Sequence, residues 1–148
     1  MTPLSGKVPT TEQSIKMTEE AALKKINEDS KEFFAVRNLE EAEVYFNSLP
    51  PQYHHLLVKT LVWTATEHDV KLVTQFFVLA ASKGLCSPAS FEEGLTPLAQ
   101  VIIDIAAEAP KASQSFAMMI KGASLNSERL SNLASKSSDR VKFLALLK

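Results

Sequence analysis

The 148-residue chain is poor in several residue types at once: it has one cysteine, four glycines and one tryptophan. A lone cysteine, Cys86, excludes an internal disulfide and any zinc site built on paired cysteines. A reducing compartment, the cytoplasm, is the expected setting. The scarcity of glycine argues against a loop-rich or all-β fold. No apolar run approaches the roughly 18 residues that span a bilayer, and the run Phe76–Ala81 is short. The opening MTPLSGKVPTTEQS lacks the apolar core of a signal peptide. Neither charge sign is in excess: 16 basic and 17 acidic side chains leave a net charge of −1. That balance is unlike a dedicated nucleic-acid binder. Missing, too, are a glycine-rich phosphate loop, an HExxH pair and a GxSxG elbow. No enzyme is expected, and no catalytic residue, metal or cofactor.

What is present is helical periodicity. With 45% hydrophobic and 22% charged residues the chain can build a core. Residues 1–16, rich in Pro, Ser, Thr and Lys, read as a flexible linker. From residue 17 to 148 one domain is expected. Helix 1 spans about Glu19 to Ala35 after an N-cap at Thr18. Helix 2 follows Asn38 and ends at Pro50-Pro51, with Leu39, Ala42, Phe46 and Leu49 inward. Helix 3, about Gln52 to Glu67, is apolar on nearly every side, which predicts a central position with Trp63 in the core. Asp69 is placed to cap helix 4, and Gly84 to end it in a left-handed conformation. Ser87-Pro88 starts helix 5, within which Pro97 should kink or break the helix near Glu93 to Thr96. Pro110 opens helix 6, Ser127 caps helix 7 and Asp139 precedes helix 8. Hairpins then begin near residues 18, 52, 88 and 127, a spacing close to that of HEAT-type repeats. The predicted fold is all-α: seven to eight helices in stacked antiparallel hairpins.

Few residues suggest chemistry. His54 and His55 are neighbours on a helix, so they point about 100° apart and cannot easily share a metal. One exposed and one packed at the rim is the expectation. Cys86 sits near a helix start, which can lower a thiol pKa, although simple packing is the plainer reading.

Charge is more informative. Residues 1–110 carry 9 basic and 15 acidic groups, whereas residues 111–148 carry 7 basic and 2 acidic. Glu93, Gln100, Asp104 and Glu108 fall on one stripe of helix 5. Asp104 and Glu108 form an i,i+4 like-charge pair, costing a few tenths of a kcal/mol. They lie in the last helical turn, where the macrodipole disfavours anions by about 0.3–1 kcal/mol. For Glu108 the start of helix 6 offsets this. Such a locally unfavourable pair is a candidate binding element, while a solvated face is the alternative. The basic third, with Lys121, Arg129, Lys136, Arg140, Lys142 and Lys148, could touch RNA phosphates. Only Phe143 interrupts it with an aromatic ring, which leaves little for base stacking.

The segments EFFAVRNLEEAEVYFNSLP, CSPASFEEGL and above all IIDIAAEAPKA carry a resemblance. From Lys24 to about Leu133 the chain resembles the MA-3 domains, HEAT-like helical modules, and most of all the C-terminal MA-3 domains of the initiation factor 4G family in its fungal forms. The most specific part is the pattern Asp104, Glu108, Pro110, Ala112. The resemblance implies a non-catalytic module of a translation initiation scaffold that docks on the DEAD-box RNA helicase of initiation, within the cap-binding complex. It implies that Asp104 and Glu108 face the helicase and that Pro110 shapes the loop between helices 5 and 6; Glu93 of the same stripe and Lys111 beside the turn are counted with them as candidate partner-binding residues. Glu108 stands where the family usually has aspartate, and Ala107 where leucine is common. An MA-3 domain of a translational repressor or splicing factor, an RNA-contacting domain and a purely structural repeat remain as alternatives.

Overall fold

A computed structural model describes residues 17–148. The expected linker, residues 1–16, lies outside them. The described residues form eight α-helices and no strand. They are α1 (Glu19–Val36), α2 (Leu39–Asn47), α3 (His54–Thr64), α4 (Val70–Lys83), α5 (Pro88–Glu108), α6 (Pro110–Gly122), α7 (Ser127–Lys136) and α8 (Arg140–Leu146). Short 3₁₀ turns at Pro51–Tyr53 and Glu67–Asp69 precede α3 and α4.

Local chemistry sets most boundaries. The side chains of Thr18, Asn38, Ser87 and Asp139 each accept a backbone N–H at the start of their helices. Gly84 closes α4 at φ 70°, a left-handed conformation that costs glycine nothing. Two caps differ from the expectation. Asn126, not Ser127, caps α7, its carboxamide accepting from the Arg129 N–H at 2.9 Å. Thr66, not Asp69, caps the turn into α4. Asp69 answers as the third residue of a reciprocal capping box, accepting from the Thr66 N–H at 3.0 Å and its hydroxyl at 2.9 Å. This box also explains why α3 stops at Thr64 and does not run on to Glu67.

The helices pack in two rows. In one row α1 meets α3, α3 meets α5, and α5 meets α7; in the other α2 meets α4 and α4 meets α6. Helix α8 closes the end against α5, α6 and α7. Neighbour-on-neighbour packing of this kind is the architecture of an α-helical repeat. The core is continuous, with Phe33, Phe46, Phe76, Phe77, Phe91 and Phe143 fully buried. Ring contacts tie three hairpins together: Phe33 and Phe46 both pack on Phe76, and Phe77 packs on Phe91.

Pro97 does not end its helix: α5 runs unbroken from Pro88 to Glu108. Proline inside a helix costs about 3 kcal/mol. Phe91, Leu95, Leu98 and Ile102 on either side of it are fully buried, and burial is worth about 1.5–3 kcal/mol for each such side chain. Packing wins. Trp63 is a second correction. The buried face of α3 is His54, Leu57, Val58, Leu61 and Val62, so one more residue rotates the indole about 100° off the stripe. Trp63 is 43% exposed, and α3 is not buried all round.

Two glycines set how close the third hairpin comes to the second. A Cβ built on Gly94 of α5 would lie 2.6 Å from the His55 carbonyl oxygen and 2.9 Å from the Val58 Cβ of α3. On Gly122 of α6 it would lie 2.8 Å from the Thr74 carbonyl oxygen of α4. Backbone leaves no room for a methyl group at either place.

Between the first and second hairpins a polar tie adds to the ring contacts. Arg37 ends α1 in the left-handed region at φ 59°. Its guanidinium reaches Asp69 at 2.6 Å and the His68 carbonyl at 3.3 Å. Burial by itself raises the Asp69 carboxyl, but hydrogen bonds from Arg37 and Thr66 outweigh it and hold the pKa below the ordinary aspartate value.

Two outcomes follow from this packing. Helix propensity says that Gly94→Ala should stabilise by about 1 kcal/mol; the 2.6 Å contact says the reverse. Overpacking is expected to dominate, with a net loss of about 1–3 kcal/mol and a lower Tm in thermal melts. Asp69 has a depressed folded-state pKa, so its contribution is present above about pH 4 and is lost as pH falls through the lowered value. The Tm gap between the chain and Asp69→Asn should therefore be full at pH 7 and shrink below about pH 4.

Candidate partner-binding surface

One residue, Ala109, joins α5 to α6. It serves as the last cap of one helix and the first of the next, at φ −142° and ψ 77°. Its N–H donates to the Ile105 carbonyl at 2.6 Å, and its carbonyl accepts from the Ser113 N–H at 3.1 Å. Pro110 follows at the first helical position, where its missing N–H is no loss and its fixed φ suits the helix. The turn is thus as short as a helix–helix link can be, and it is held by backbone on both sides.

Asp104 and Glu108 stand on the α5 side of this turn, one helical step apart and both exposed. Among the described residues neither takes part in an ion pair, unlike several acids elsewhere. Glu92 holds Arg129 at 2.8 Å, Asp69 holds Arg37, Glu43 holds Lys83 at 2.8 Å and Asp29 holds Lys25 at 3.0 Å. Asp104 lines an open groove of about 470 Å³ between α5 and α8, floored by Ile103, Ala106, Ala107, Ala145 and Leu146. Lys142 shares this groove without pairing with it.

The sequence-derived residues do not all meet. Asp104, Glu108, Pro110 and Lys111 cluster at the turn. Lys111 is exposed and lines a smaller pocket on the α6 side. Glu93 lies eleven residues from Asp104 along α5, about 16 Å of helix rise. It faces His55 at 3.6 Å, in a shallow mixed-charge depression with Lys59, Arg129 and Lys136. Glu93 therefore belongs to a separate patch.

The remaining candidates resolve as structure. His54 is buried, its Nε2 lying 2.8 Å from the carbonyls of both Phe46 and Leu49. Two acceptors require the proton on Nε2, so this ring is a staple between α2 and α3. His55 is half-buried. Cys86 is 2% exposed, and burial pushes its thiol up to about 12, opposite to the lowering that a helix start suggested. Of the basic third, Arg129 is held by Glu92, and Arg140 donates to the Ser131 hydroxyl at 2.6 Å.

One surface feature went unforeseen. The indole of Trp63 packs on Phe116 of α6 with ring centroids 5.5 Å apart. Phe116 in turn walls the pocket that Lys111 lines. Its only advance signal was the offset of Trp63 from the buried positions of α3.

No helix of the described residues is long and apolar enough to cross a membrane. Set beside protein-family models, curated proteins and solved structures, the chain matches none.

The acid pair is unfavourable to the fold, which gives it a stability signature. Asp104→Ala removes the repulsion with Glu108 and an anion from the negative end of α5, and it introduces the better helix former. A gain of about 0.5–1 kcal/mol is expected in chemical denaturation.

Proposed function

We propose that the chain is a non-catalytic protein-docking module whose α5–α6 turn engages a basic surface of a partner. The partner we assign is the DEAD-box RNA helicase of translation initiation, and the parent protein a cytoplasmic initiation scaffold of the cap-binding complex. One observation carries the docking reading. Asp104 and Glu108 are exposed, lack a counter-ion among the described residues, and project from a turn held by backbone on both sides. The partner's identity rests on the resemblance of IIDIAAEAPKA to the MA-3 motif.

The chemistry is direct. A carboxylate that accepts from Arg or Lys forms a charge-assisted hydrogen bond, worth about 1.5–3 kcal/mol when well formed. Two carboxylates at i,i+4 offer two such contacts about 6 Å apart. Exposed charges also speed encounter and make it salt-sensitive. A partner that cycles between conformations is shifted only so far as the turn binds one of them better. An RNA-binding reading through the basic third is weaker, because Arg129 and Arg140 are already engaged within the chain.

Calorimetric titration with the initiation helicase of the same organism, with and without nucleotide and RNA, tests the reading. Asp104→Lys/Glu108→Lys should weaken binding by about a hundredfold or more, for two lost contacts of the above size. The variant should melt like the parent. Equal binding by the variant, or no binding by the parent chain under any ligand condition, would overturn the assignment.

A further inference from the structure

Trp63 is the chain's only tryptophan, and it lies 43% exposed. Its ring leans on Phe116 at an interplanar angle of 57°. Phe116 also lines a pocket of about 200 Å³, together with Ala65, Val70, Ala112 and Met119 and the charged Glu67 and Lys111. Small-molecule sites usually measure roughly 300–1,000 Å³, so this pocket is better suited to a single side chain. Exposed tryptophan beside an apolar pocket is the composition of an interface anchor.

We infer that the Trp63–Phe116 face and its pocket form a second contact for the partner docked at the acidic turn, taking an apolar side chain that is flanked on the partner by Arg or Lys. The inference rests on the docking reading and extends it. Two observations choose this occupant. The first is continuity: Lys111 walls the pocket and lies three residues beyond Glu108, across Ala109 and Pro110. The second is charge. Glu67 at the pocket, with Glu108 and Asp104 beyond the turn, outnumbers Lys111 and the Lys142 that shares Asp104's groove, so the neighbourhood favours a basic protein surface over phosphates. A nucleic-acid strand stacking on the indole would meet those acids. The two contacts have separate roles. The carboxylates steer and orient, whereas the aromatic face excludes water and slows departure.

The test uses the whole chain with 5-fluorotryptophan incorporated, so that Trp63 gives the only fluorine resonance. Adding the initiation helicase should shift or broaden that resonance. Phe116→Ala and Ser115→Arg, each checked for an unchanged melt, should weaken helicase binding by about tenfold or more, the usual effect of truncating or blocking an anchor. Suppose the helicase binds, and loses binding with Asp104→Lys/Glu108→Lys, but leaves the resonance unmoved and binds both pocket variants as well as the parent. The second contact is then overturned while the turn assignment stands. Absence of helicase binding overturns both. A resonance that moves with the chain's own concentration assigns the face to a second copy. One that moves with an oligouridine RNA alone assigns it to nucleic acid. Either result overturns the inference.

Discussion

The close approach of the third hairpin to the second is the constraint on which the surface depends. Gly94 brings α5 against the backbone of α3, and Gly122 brings α6 against the backbone of α4. Each helix of the pair is thus seated on its own neighbour in its own row. The one-residue link at Ala109 then has no freedom to place the turn elsewhere. The same seating lets Phe116 of α6 reach Trp63 of α3, two helices that are distant in sequence. A methyl group at either glycine would push the hairpin outward and shift acids, pocket and aromatic pair together.

Electrostatics separates two kinds of acid. Some are part of the fold: Asp69 ties the first hairpin to the second through Arg37, and Glu92 ties α5 to α7 through Arg129. These are linked to cations from distant segments. Asp104 and Glu108 are different. They repel one another, stand at the negative end of α5 and take part in no ion pair among the described residues. Folding would be served as well or better without Asp104, a contrast that supports the proposed docking role.

Much of the fold was legible because helix caps and apolar periodicity are local. Thr18, Asn38, Ser87 and Asp139 could be read as starts, Gly84 as a stop, and Ala42, Phe46 and Leu49 as core. What could not be read depended on contacts between segments. Pro97 inside α5 signals a break until one knows that Phe91, Leu95, Leu98 and Ile102 are all buried around it. Trp63 looks like core because tryptophan usually is, yet its angular position puts it on the surface. Gly94 and Gly122 gave no sign of their close contacts, and Cys86 gave none that burial would raise its thiol pKa. For the candidate site, the placement of Asp104, Glu108 and Pro110 beside one another was legible from spacing, because one helix and one turn hold them. Glu93 shares their stripe but not their neighbourhood, since about 16 Å of helix separates it from Asp104. The pocket beside Lys111 is assembled from α4, α6 and the link between α3 and α4, so no single stretch announced it.

The central claim is that a partner docks where α5 passes into α6 and beside it, on a surface held by the repeat packing. Amide hydrogen exchange of the chain, with and without the initiation helicase, tests it most directly. The account predicts slowed exchange at residues 104–116 and around 63–67, with the basic segment 136–148 unchanged. Protection confined to that basic segment, with the turn exchanging as in the free chain, would contradict it.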